Sequence, residues 1–209
     1  MPIESIVTFI FASALISVAP GPDNIFVLTQ SALYGRKSGV IVTLGLCTGL
    51  LVHTAAVALG VAAIVLTSPL AFNLLKYLGA AYLLYLAWLA FSAKPSALPS
   101  SNNGLVSAKA LYRRGIIMNV TNPKVAIFFL AFLPQFADPQ AGSLAGQFLL
   151  LGALFIIVAL AVFVSIAYLA GALGQWITNS PKGQLYLNRI AGGVFIGLAI
   201  KLIISSAAS

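Results

Sequence analysis

The chain reads as six long apolar runs set apart by short clusters of polar residues. The runs lie near 3–34, 39–66, 70–92, 112–136, 144–173 and 186–207. Each can cross a hydrocarbon core of ~30 Å, which takes about 20 helical residues. The alternation of a membrane β-strand, about 10 residues long, is absent, and the runs are continuous. An all-α integral membrane protein with six transmembrane helices follows, because a helix satisfies its own backbone groups in lipid. Two runs carry breaks. APGPDN at 19–24 sets Pro20, Gly21, Pro22 and Asp23 inside the first, and TNPK at 121–124 sets Asn122, Pro123 and Lys124 inside the fourth. Proline removes a backbone donor and clashes with the preceding turn, so helices 1 and 4 are predicted to split into half-helices.

Composition agrees with the pattern. Of 209 residues, 61% are hydrophobic and 7% charged, with a mean hydropathy of +1.07, whereas a soluble domain carries about 25% charged residues. The net charge of +8 does not signal nucleic acid, since the cations are few and scattered between apolar runs. They set orientation instead. Arg36, Lys37, Lys94, Lys109, Arg113, Arg114, Lys182 and Arg189 fall in the odd-numbered loops. Lys76 and Lys201 lie on the opposite side, near span ends where they are expected to snorkel. This bias predicts cytoplasmic odd loops and both termini outside. MPIES carries Glu4 where a secretory leader would be basic, so residues 3–34 are expected to be a retained span. The single cysteine, Cys47, cannot form an internal disulfide.

The longest polar stretch, KPSALPSSNNGLVSAK at 94–109, reads as a flexible cytoplasmic linker. It divides one transmembrane domain, 1–209, into a repeat of about 1–93 and another of about 110–209. Three spans per half is odd, so related halves must be inverted in the membrane, a known transporter plan. Pro22-Asp23 and Pro123-Lys124 correspond at an offset of 101 residues, flanked by Asn24 and Asn122 respectively.

The ionisable residues within the spans are the candidate chemistry. Asp23 starts the second half-helix of span one, where it either caps a mere kink or serves as a functional site, the default for an ionisable group in a span. Lys124 lies ten residues past Arg114, ~15 Å along a helix and about half the hydrocarbon thickness. A bare ammonium there needs a partner, and the expected partner is Asp23. Such a pair either locks the halves together or opens to admit a zwitterion, its amine toward Asp23 and its carboxylate toward Lys124. His53, the sole histidine, is either a proton relay or a packing residue. Asn119, Thr121, Gln30 and Gln147 either line a cavity or bond between helices. Small-xxx-small spacings at Gly45/Gly49 and Gly193/Gly197 fit internal packing and a homodimer equally. Tyr77, Tyr82, Tyr85 and Trp88 read as belt or packing residues. No metal-site, nucleophile-elbow or phosphate-loop signature is present. The expectation is a non-enzyme without cofactor or metal that an ion gradient drives.

The chain resembles the lysine exporter (LysE) superfamily of bacterial amino-acid efflux proteins, most closely its threonine/homoserine (RhtB) branch. The resemblance rests on VAPGPDN at 18–24, GRKSGVIVTLGLCTGLLVH at 35–53, LKYLGAAYLLYLAWLAF at 75–91 and GIIMNVTNPKVAIFFLAFLPQF at 115–136. It implies export of an amino acid or derivative from the cytoplasm across the bacterial inner membrane, driven by protons. The family's two motifs carry over to Pro20, Gly21, Pro22 and Asp23, and to Asn122, Pro123 and Lys124. Spans five and six match only loosely. The resemblance therefore implies nothing about a substrate side-chain pocket there.

Overall fold

A computed structural model describes residues 1–62, 68–94 and 107–204. Every regular element among them is helical. Helix α1 (Ile3–Val18) and α2 (Pro22–Tyr34) meet at a bend of 59°, and α5 (Ala108–Val120) meets Pro123–Phe136 at 48°. This last piece begins as α6 (Pro123–Ile127), then widens into a π turn at Phe128–Phe132 and ends in a 3-10 turn at Leu133–Phe136. The remaining helices are α3 (Arg36–Ala56, extended by a π turn to Val61), α4 (Pro69–Ser92), α7 (Leu144–Asn179) and α8 (Pro181–Ile204). Four of these helices can cross a membrane alone, and counting each bent pair as one span gives six.

Packing joins each bent pair to an unbroken helix. α3 lies along α5, α7 lies along α1 and α2, and α3 also meets α7. α4 and α8 pack on each other. The core is aromatic, with Phe9, Phe128, Phe129, Phe132 and Phe148 fully buried. Phe128 alone has ring neighbours Phe9, Phe129, Phe132 and Phe155 at 5.0–6.3 Å. Large apolar side chains such as Leu59, Leu70, Trp88 and Ile204 point outward, as a lipid-facing surface requires.

Glycine sets the closest approach. A Cβ on Gly115 would stand 2.6 Å from the Val42 carbonyl and 3.1 Å from the Gly45 Cα. A Cβ on Gly49 would meet the Asn119 side chain at 2.8 Å. The first small-xxx-small pair is therefore an internal α3–α5 contact. Gly193 and Gly197 have open space beside them.

Several expectations change. The loop between spans five and six shrinks to Ser180, and Lys182 and Arg189 sit on the first turns of α8. Pro181 opens that helix because its missing N–H is tolerated at a helix start. Lys76 does not snorkel to solvent; it is buried, with its ammonium 5.2 Å from the Tyr77 ring. Residues 95–106 of the linker, and the ends of spans two and six at 63–66 and 205–207, lie outside the described residues.

Candidate functional site

The first break follows from its prolines. In an unbroken helix the Ile16 carbonyl would accept from the N–H of residue 20, which is proline and has none. Ala19 closes α1 by donating to the Leu15 carbonyl, and α2 restarts with Gly21 as its extended N-cap and Pro22 in the first position. The freed carbonyls are taken up by side chains. Lys124 Nζ donates to Ile16 O at 3.2 Å and to Ala19 O at 3.0 Å, and Asn24 Nδ2 donates to Ser17 O at 2.7 Å. Gly21 eases this approach and is not needed for its dihedrals, since a Cβ there would lie 3.1 Å from the Lys124 ammonium.

The second break repeats the logic. Pro123 strips the Asn119 carbonyl of its usual donor. That carbonyl accepts instead from Asn122 N at 3.0 Å and from His53 Nε2 at 3.1 Å. The Asn122 side chain caps α6 by accepting from Lys124 N at 3.0 Å. Each break is thus completed from the opposite half, the first by Lys124 and the second by His53.

Between the breaks lies a small cavity, with room for about one water molecule. Ser17, Asp23, Asn119 and Lys124 form its polar side. Leu50, Phe128, Phe155 and Phe163 form an apolar side. Asp23 is only 1% exposed and Lys124 6%. Among the described residues the two make no direct salt bridge, although both charges line the same cavity and act on each other across it. The ammonium is satisfied by backbone, while Asp23 Oδ1, Ser17 Oγ and Asn119 Oδ1 are buried without a protein partner. A buried carboxylate oxygen left bare is costly. It marks a place that a donor from outside the chain can fill.

The other predicted residues distribute as follows. Asn24 and Asn122 each bond backbone at their break and each keep one unpaired side-chain atom, Oδ1 and Nδ2 respectively. His53 does not line the cavity; it reaches the Asn119 carbonyl and packs 5.6 Å from the Phe129 ring. Gln147 clamps the turn at Asp138 through two bonds, accepting from Asp138 N at 2.9 Å and donating to its carbonyl at 2.8 Å. Thr121 bonds back to the Ile117 carbonyl, and Gln30 is buried with Oε1 unpaired. Sequence reasoning missed Ser17 and the α7 phenylalanines. Ser17 sits three residues before Pro20 and was visible as a hydroxyl beside a break. The phenylalanines carry no local signal, because an apolar residue that faces a cavity reads like one that faces lipid.

Comparison with known proteins agrees with this architecture. The profile of the family described as LysE type translocator matches residues 14–206. A homoserine/homoserine lactone efflux protein of Salmonella typhimurium (strain LT2) is 36% identical over 188 residues, covering 90% of each chain. A leucine efflux protein of Salmonella choleraesuis is 32% identical over 197 residues, 93% of this chain and 92% of that protein. An uncharacterized membrane protein of Vibrio cholerae is 31% identical over 202 residues, 97% of this chain and 98% of its own length. No solved structure matches the chain. With a profile that spans both breaks and relatives that cover nearly the full length, the chain belongs to the LysE family of translocators.

Proposed function

We propose that the protein is a secondary active exporter of a small neutral amino acid or derivative, driven by proton exchange across the bacterial cytoplasmic membrane. One observation carries the reading. Two opposite charges, each on a broken span and each buried, line one cavity in which Ser17 Oγ, Asp23 Oδ1 and Asn119 Oδ1 lack partners. Such a site is complementary to a zwitterion. The names of the relatives, efflux proteins for homoserine and for leucine, support the same class of cargo.

The geometry suggests a sequence of steps. The cargo ammonium enters beside Asp23 and takes over the Ile16 and Ala19 carbonyls that now hold the Lys124 ammonium. Lys124, released, turns its charge to the cargo carboxylate. A proton from outside then neutralises Asp23, and the cargo loses its counter-charge and leaves. Loss of that proton to the cytoplasm restores the carboxylate for the next cycle. The inverted repeat belongs to this proposal. Span two of the first half packs on span four of the second (α3–α5), and span five of the second half packs on span one of the first (α7 with α1 and α2), an exchanged pair of contacts that supports it.

The test is efflux from proteoliposomes of labelled amino acids under an imposed pH gradient. Wild-type protein is expected to move small neutral amino acids with the gradient. Asp23→Asn, inserted and folded, is expected to abolish gradient-driven movement; export by that variant with an unchanged pH response overturns the mechanism.

A further inference from the structure

The cavity has two unlike walls, and the apolar one comes chiefly from the second half. Phe128 is fixed there, fully buried among four other rings. Phe155 is braced on one side, with Phe128 and Phe129 each at 5.1 Å. Phe163 is 5% exposed and has no ring partner among the described residues. Phe155 and Phe163 lie eight residues apart on α7, two turns along one stripe, with the buried Ala159 midway between them. Both rings line the cavity that Asp23 and Lys124 share.

We infer that Phe155 and Phe163 determine the size of the side chain this translocator accepts, and that its cargo is an α-amino acid with an uncharged, apolar side chain. This rests on the amino-acid efflux reading. Among the described residues, the charged groups lining the cavity are Asp23 and Lys124, and a zwitterion's own ammonium and carboxylate engage both. A third charge on the cargo would be buried against phenyl rings and Leu50 with no counter-ion, which is prohibitive. An apolar side chain meets those rings favourably until it collides with them. The collision sets the upper limit. Phe128 cannot move without disturbing the aromatic core, so the adjustable part of the wall is Phe163 and, less freely, Phe155.

The experiment is uptake competition in proteoliposomes with alanine, leucine, phenylalanine, lysine and glutamate, on wild type and on Phe163→Ala, Phe155→Ala and Phe163→Trp. Thermal melting checks that each variant is folded; Phe163→Leu replaces any alanine variant that is not. Wild type is expected to move the smaller neutral cargoes and to exclude lysine and glutamate. Phe163→Ala is expected to shift the phenylalanine-to-alanine ratio by about tenfold or more toward phenylalanine, the scale at which apolar pockets discriminate. Phe163→Trp is expected to shift it the other way, while lysine and glutamate stay excluded throughout. Folded variants that transport with an unchanged rank order overturn the assignment of the wall and leave the efflux reading standing. Lysine or glutamate as a preferred wild-type cargo overturns the substrate class. A wild-type protein that moves no amino acid at all removes the efflux reading and this inference together.

Discussion

At the scale of single residues the site is governed by what prolines take away. Lys124 holds carbonyls that Pro20 and the end of α1 leave open, so its hydrogen bonds go to backbone while the carboxylate that charge counting selects lies across the same cavity. Charge counting sees side chains only; a freed carbonyl is written in the sequence as a proline four residues later. Asp23 and Lys124 themselves were legible, because an ionised group in an apolar run is expensive and demands a reason. Asp23→Asn is expected to melt at or above the wild-type temperature while losing transport, since it removes a buried charge whose Oδ1 has no protein partner. Gly21→Ala should fold with a loss of only about 1 kcal/mol or less, because the atom in its way is the mobile end of a lysine. Its efflux should fall, since the methyl displaces that ammonium; equal rates for Gly21→Ala and wild type in the same vesicles would contradict the role given to the contact. His53→Ala leaves the Asn119 carbonyl with one donor in place of two and should cost roughly 1–3 kcal/mol in thermal melting.

Between elements, the decisive contact is the α3–α5 crossing. Spacing showed that Gly45 and Gly49 share a helix face, but it could not say which helix lies against that face, since a period specifies an angle and no partner. Coordinates supply the partner: Gly115, whose own missing side chain admits the α3 backbone. Gly115→Val should force the two helices apart and cost about 1–3 kcal/mol or more, as overpacking does. Gly193→Ala, facing open space, should leave the melting temperature within experimental scatter. The boundary between α7 and α8 was misread for a related reason. Residues 174–185, between the two apolar runs, read as a loop, yet lysine is a good helix former and proline is welcome in a first turn.

Across the whole molecule, the two broken spans bring residues beside their breaks to one cavity. The breaks themselves followed from the position of two motifs. The apolar wall of the cavity did not, because α7 is hydrophobic along nearly all its length and only packing decides which stripe turns inward. As described, the cavity admits about one water, so passage of an amino acid requires the surrounding helices to separate. Cys47 is buried, which makes the protein suited to thiol probing. Ser17→Cys is expected to react slowly with a small maleimide at rest, faster under a gradient that drives turnover, and slowly again when cargo is saturating. Labelling that ignores both gradient and cargo would count against an alternating cavity at this position.

The crossed completion of the two breaks constrains how the chain can come into being. A carbonyl stripped by Pro20 is met by an amine encoded 104 positions later, and one stripped by Pro123 is met by an imidazole encoded 70 positions earlier. In hydrocarbon there is no solvent to stand in for the missing donor. During synthesis, the first three spans therefore precede the side chain that completes their break. In this fold each half takes the place that water would hold for the other.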